Sequence, residues 1–442
     1  MRIADWCEKW FPDAFVFAMF AVALVFIAGI LLGENPSKMA VAFGSGFWNL
    51  VPFTMQMVLI IISGYCVASS PPVYRIICWL ARIPKTPRGA VAFVAAFSML
   101  TSLISWGFSL IFSGLLVREI TNNIKKVDYR AIGAAAYLGL GSIWALGLSS
   151  SAALIMATKD ALPEKLVEIT GVIPLKETIF LRQSLLIALI LILISIAIAY
   201  FSAPPPEKAK TAEDFNIEYK PLTVKIEPRQ KPGEWIEYSP LLTIIIVLIG
   251  AVYVIHEFAD KGGAAALNLN TYNFIFLMLG LLLHWRPRSF LKAVSSSVPA
   301  TAGVLIQFPF YAGIFGIITS TAISGTLAKL FVEISTKHTY PLLVGIYSAI
   351  LGLFVPSGGG KWVIEAPYIM GAAKSLNIHS GWVVQIYNAA EALPNLINPF
   401  WMLPLMGILN VRARELAGYS VLQMFIHVPV VLFLCWIFSY TL

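Results

Sequence analysis

The sequence predicts an all-α protein that crosses a membrane many times, and three observations predict it. Hydrophobic residues make up 58% of the 442 and charged residues only 12%, an excess of apolar over charged residues beyond that of soluble domains. Apolar runs long enough for a roughly 30 Å hydrocarbon layer recur along the chain, about ten in all. Several of those runs are interrupted by small polar residues and prolines, which a helix surrounded by lipid would not tolerate.

The clearest runs are 14–32, 48–68, 131–157, 181–201, 240–256, 341–354 with its continuation, 396–409 and 419–440. The opening "MRIADWCEKWFPDA" leads into a run nearer a full span than a signal-peptide core, without a small-residue cleavage site, and reads as a retained first helix. Arg75, Arg82, Lys85 and Arg88 precede the segment 89–117, and Arg118, Lys125, Lys126 and Arg130 follow it. Positive charge marks cytoplasmic flanks, so this segment enters and leaves by one face. Its 29 residues would measure about 43 Å as one helix, and the central "TSLISWGFS" supplies the turn of a re-entrant hairpin. A single long tilted helix is the other reading.

Residues 203–238 combine prolines with six basic and seven acidic residues, so they neither span nor orient the chain. They form a polar linker between two membrane halves. The first half, 1–202, is expected to hold a hairpin at about 89–117 and a broken helix at about 131–157. The second, 239–442, is expected to hold a hairpin at about 299–330 and a broken helix at about 341–373. Each half shows the same order of polar events: "TSLISWGFS" and "GLSSSAAL" in the first, "TAGVLIQFPFYAGIFG" and "VPSGGGKW" in the second. Paired interruptions point to a secondary transporter built from inverted repeats, with its site at the membrane midplane. Arg286, Arg288 and Lys292 oppose the inversion, because they precede the second long stretch and would then face outside.

The interruptions suit an anion. In "PSGGGKW", Pro356 ends a helix, and Gly358, Gly359 and Gly360 leave main-chain N–H groups unobstructed. A half-helix starting near Lys361 would turn its positive dipole end to the gap, a place for a carboxylate, with Ser357 adding a hydroxyl. Ser149, Ser150 and Ser151 form the matching half-site, and the first break adds Ser102, Ser105 and Trp106. Close helix packing by the glycines and back-bonding by the serines are the plainer readings. Lys361 and Glu365, four apart, share a helix face and either neutralise one another or serve an anion and its counter-charge. Asn388, Glu391, Asn395 and Asn398 form one polar stripe. Its oxygens suit Na+, its glutamate could carry a proton, and a polar packing seam is the alternative. Glu365, Asn388, Glu391 and Asn395 are thus the candidates for ion coupling.

Several classes are excluded. The net charge of +8 sits in loops between apolar runs, which argues for orientation and not for nucleic acid. The four cysteines and five histidines show no metal-ligand or redox spacing, so Na+ is the only metal considered. HExxH and GxSxG are absent, and "GGGKW" lacks the upstream glycine and hydroxyl residue of a phosphate loop, so neither an enzyme nor a cofactor is expected. Singly occurring charges do not make the rings of a channel. Among carriers, a dicarboxylate or other small-anion transporter is the nearest rival to a monocarboxylate one.

At "QFPFYAGIFG", "FVPSGGGKW" and "EALPNLINPFWMLP" the sequence resembles the short-chain fatty acid transporter family, allied to the ion-transporter superfamily. The resemblance implies cation-coupled uptake of small monocarboxylates such as butyrate or acetoacetate across an inner (cytoplasmic) membrane. It further implies a scaffold that forms a homodimer in the lipid bilayer, and a transport domain with two re-entrant hairpins that moves like an elevator. The serine run 149–151, the segment Gln307 to Tyr311, Ser357 to Gly360, and Glu391 with Asn395 match family elements. Lys361 and Glu365 depart from it, since the family carries neutral residues there, often glutamine.

Overall fold

The computed structural model describes residues 14–49, 51–157, 162, 164–218, 228–262, 266, 269–322, 326, 329, 333–354 and 358–442. Among these the regular structure is helical throughout. Four helices are long and apolar enough to cross a membrane, or up to seven if each sharply bent pair counts as one span. The first thirteen residues and Ser357 lie outside the described residues.

Helices α1 (Ala14–Leu31), α2 (Pro36–Asn49), α3 (Val51–Ser69) and α4 (Pro71–Leu80) come first. They pack with α11 (Leu241–Lys261), α12 (Leu269–His284), α13 (Pro287–Ser297) and α14 (Ala302–Ser320) from beyond the linker. At the crossing of α2 and α14 the main chains nearly touch: a Cβ on Gly46 would come within 2.7 Å of Ala312 O.

A second body is built from two runs of helices. The first is α5 (Pro87–Ser102), α6 (Trp106–Asn123), α7 (Tyr129–Leu138), α8 (Ser151–Ala157), the short α9 (Glu164–Thr170) and α10 (Arg182–Ser202). The second is α15 (Tyr340–Gly352), α16 (Gly358–Ser375), α17 (Ser380–Ala392), α18 (Leu403–Leu409) and α19 (Ala413–Phe438). Four starts recur at a spacing of about 250 residues: 87 and 340, 106 and 358, 129 and 380, 151 and 403.

Both leading pairs fold back on themselves. In α5–α6, Ser109 Oγ donates to Ser98 O and the rings of Phe97 and Phe112 stack at 5.3 Å. In α15–α16, Lys361 Nζ donates to Ser348 O, while Tyr340 Oη donates further along α16 to Ile369 O. Moving back along one arm meets residues further on in the other, so the arms run antiparallel. The stretch 341–373, expected as a broken helix, is therefore a hairpin. The stretch 299–330, expected as the hairpin, contains a continuous helix from 302 to 320 that keeps Pro309 within it. The broken helix of the second run is instead 380–409, bent by 73° between Leu396 and Pro399.

Contacts also sort the loops by end. Asn123 Nδ2 donates to Ala81 O and Arg88 Nε to Ala203 O, which gathers both basic flanks of α5–α6 and the start of the linker at one end. His284 Nε2 bonds Cys66 O, and Arg288 pairs with Glu237, so Arg286, Arg288 and Lys292 lie at that same end. Arg286 caps α13 and Arg288 and Lys292 stand within it, so this charge does not lead into the second hairpin. The base of α15–α16 lies at the other end, where His338 meets Tyr440. Helices α10 and α19 run antiparallel, with Gln183 bonded to Thr441 and Ser195 to His427.

Candidate functional site

Four helix interruptions meet. Helix α7 first loosens into a π turn, Gly139–Ile143, then tightens into a 3-10 turn, Trp144–Leu146, before breaking at 147–150. Such departures from α geometry release main-chain groups and often mark function. Ser149 Oγ donates to Ser102 O at 2.7 Å and accepts from Trp106 N–H at 3.0 Å, tying this break to the tip of the first hairpin. Ser105 caps α6 by accepting from Phe108 N–H. A Cβ on Gly147 would lie 2.3 Å from Leu103 O, so only glycine lets the tip seat so closely.

The second break is joined to the first. Ser150 Oγ accepts from Ala153 N–H, capping α8, and donates to Asn388 Oδ1 at 3.0 Å. Tyr137 Oη donates to Asn395 O, and Trp106 meets Trp401 edge-on at 5.4 Å. Asn398 caps the turn that follows by accepting from Phe400 N–H, and its Nδ2 donates to Leu353 O in the second hairpin.

The start of α16 closes the group. Tyr387 Oη donates to Gly358 O at 2.6 Å. A Cβ on Gly358 would come within 2.6 Å of the Trp144 ring and 3.6 Å of Glu391 Oε2, and one on Gly359 within 3.2 Å of Ser151 Cβ. The amino ends of α8 and α16 therefore face each other, and the first N–H groups of a helix have no partner within it.

Around these ends buried polar atoms lack protein partners among the described residues: both Glu391 carboxylate oxygens, Asn388 Nδ2, both side-chain polar atoms of Asn395, Ser102 Oγ, Trp144 Nε1 and Trp362 Nε1. Buried polar groups are ordinarily paired, so a cluster left open is a place for a ligand. Lys361 and Glu365 are also wholly buried and 3.6 Å apart, but the lysine is turned into its own hairpin. Gln307 is placed differently. It stands one turn before Tyr311 on α14, its Oε1 buried without a partner among the described residues, while Tyr311 Oη reaches Asn398 Oδ1 at 3.5 Å.

Sequence reasoning missed Trp144, Tyr387 and Ser348. Tyr387 precedes Glu391 by four residues on one helix face, a spacing that could have revealed it. Ser348 and Trp144 meet their partners only through tertiary packing.

Comparison with known proteins bears on the whole chain. Residues 1–438 match the model of the family described as short chain fatty acid transporter. A protein of Escherichia coli (strain K12) is 34% identical over 417 residues, covering 94% of this chain and 93% of the relative. One of Haemophilus influenzae (strain ATCC 51907 / DSM 11121 / KW20 / Rd) is 31% identical over 429 residues, covering 96% and 95%. Both carry the name "Putative short-chain fatty acid transporter". Among solved structures, Neisseria gonorrhoeae MtrF, of a class of antimetabolite efflux pumps, aligns with TM-score 0.45 and 13% identity over 100% of this chain and 98% of its own. The Alcanivorax borkumensis YdaH transporter aligns with TM-score 0.43 and 14% identity over 97% and 98%. The family is one of transporters and not of enzymes, its apolar helices make the protein a multi-pass membrane protein, and this chain belongs to the short-chain fatty acid transporter family.

Proposed function

We propose that the protein is a secondary active carrier of short-chain fatty acids, small monocarboxylates such as butyrate or acetoacetate, driven by a Na+ or H+ gradient. The observation that carries this reading is Glu391. It is buried near a helix break with both oxygens unpartnered among the described residues, beside Asn388 Nδ2 and both side-chain polar atoms of Asn395, which are likewise open. An unpaired buried carboxylate is costly, so its site calls for a mobile positive charge. Next to it, the amino ends of α8 and α16 offer main-chain donors to a carboxylate. One compact anion site beside one cation site suits a singly charged substrate with a short tail. Trp106, Trp144 and Trp401 supply the apolar wall for that tail.

In this reading the two runs of helices are inverted repeats, each a re-entrant hairpin, a broken helix and a span. Support comes from the spacing of about 250 residues, the hairpin bases at opposite ends and the antiparallel α10 and α19. The repeats form a transport domain that slides as an elevator against a scaffold of α1–α4 and α11–α14. The buried site needs such a movement to open. The basic end faces the cytoplasm of an inner-membrane protein, and two copies pair through the scaffold, as the family resemblance implies.

The test is accumulation of labelled butyrate, acetoacetate and succinate by proteoliposomes, with Na+ and H+ gradients imposed separately. Monocarboxylate accumulation under at least one gradient is expected. Succinate alone would move the reading to a dicarboxylate carrier, and equilibration without accumulation would make the protein a facilitator.

A further inference from the structure

The surroundings of Lys361 are those of a cation site and not of an anion anchor. Its ammonium donates to Ser348 O at 2.7 Å, lies 3.6 Å from Glu365 Oε1 and sits 4.6 Å from the centre of the Tyr387 ring. Ser348 Oγ holds the other carboxylate oxygen of Glu365 at 2.9 Å. Helix α15 ends at Gly352, where a Cβ would be 3.4 Å from the ammonium nitrogen and 3.7 Å from Glu391 O, near the end of α17. The nitrogen is thus met by a main-chain carbonyl, a carboxylate and an aromatic face, beside the point where α15 ends. Oxygen ligands and the carboxyl ends of broken helices are what a carrier offers Na+, and the ring face favours any cation.

The other repeat supplies a control. The fourth residue of α6 is Ser109 where that of α16 is Lys361, and the eighth is Ser113 where that of α16 is Glu365. Ser109 Oγ donates to Ser98 O at 2.5 Å, the same bond between hairpin arms that Lys361 makes to Ser348 O. A neutral hydroxyl therefore suffices to join the arms, and the buried ion pair of the second hairpin needs another explanation.

We propose that the Lys361 ammonium is a tethered cation, filling permanently the place a coupling Na+ would take between Glu365, the Ser348 carbonyl and the Tyr387 ring, so that, with H+ as the mobile charge at Glu391, this carrier works without Na+. The proposal rests on the carrier reading above. A carboxylate buried without a counter-charge is strongly destabilising. Lys361 supplies that charge from the chain itself, and the positive charge never leaves the site.

The test compares the full-length protein with Lys361→Ala, Lys361→Met and the double variant Lys361→Ala with Glu365→Gln. Wild-type butyrate uptake by proteoliposomes is expected to be equal when choline replaces Na+. Each single variant should recover uptake only in Na+, at least about tenfold above choline, and the double variant should lose that dependence. Melting in detergent gives a readout free of transport: Na+ should leave the wild type unmoved and raise either single variant by several degrees. A wild type that needs Na+ for uptake, or is stabilised by it, overturns the proposal. So does a single variant whose melting ignores Na+. Absence of wild-type uptake under every gradient would instead sink the carrier reading, while the melting comparison would still decide for or against the tethered cation.

Discussion

Glu391, Asn388 and Asn395 stand three and four residues apart, so one helical face carries them into the same buried place. That much was legible from spacing. Glu391→Gln keeps the volume and removes the charge. Gradient-driven accumulation should fall at least about tenfold, while melting stays level or rises, because replacing a buried charge relieves its desolvation. Unchanged accumulation would remove Glu391 from the coupling site. Tyr387→Phe tests the tip of the second hairpin from the other side. It leaves Gly358 O without its 2.6 Å donor, and a buried acceptor so exposed costs about 1–3 kcal/mol. A lower melting temperature is expected, with an increased KM for butyrate, since the amino end of α16 is then less firmly held. Lys361 was legible as a helix-face partner of Glu365 but not as a donor to Ser348 O, because that bond crosses between hairpin arms 13 residues apart in sequence.

At the scale of elements, the eight basic residues that flank 89–117 suggest a reversal there, and α5 and α6 do fold back on each other. The second hairpin could not be read, because a Pro-Gly interruption serves equally as a kink or as a reversal, and no local feature gives the direction of the next helix. The polar-looking 301–316 misled for a related reason. Pro309 removes one helix bond, yet neighbouring helices tolerate that loss within a packed body, and α14 runs on. Glycines at the breaks give the sharpest test. Gly147→Ala places a Cβ 2.3 Å from Leu103 O and 2.6 Å from Leu103 Cα. Both atoms are main chain and cannot step aside, so overpacking of about 1–3 kcal/mol or more is expected. Melting should drop, and uptake should be lost even in the fraction that folds, because Ser149 no longer seats Trp106. Wild-type melting in this variant would mean that the hairpin tip is not packed against the break.

For the whole molecule, the proposed sliding of one body past the other is open to measurement. A Cβ on Gly107 would lie 3.0 Å from the Ile60 side chain, across the contact of α6 with α3. Ile60→Cys with Gly107→Cys, in a background free of other cysteines, should form a disulfide that cuts uptake at least about tenfold and releases it on reduction. Full uptake in the cross-linked protein would rule out an elevator at this interface. Orientation has its own check: cysteines at Lys85 and Lys125 should be labelled from the same side of the membrane, and one at Lys337 from the opposite side. The sequence by itself determined the membrane class, the family and the polar stripe at 388–398, because hydropathy, charge and helical spacing are properties of neighbours along the chain. Only the tertiary structure decided that 340–375 folds back on itself, that 380–409 is a broken helix, and that Lys361 reaches across to Ser348 O. Each of those depends on which residue meets which beyond its neighbours along the chain, and that is settled by packing once the helices share one interior.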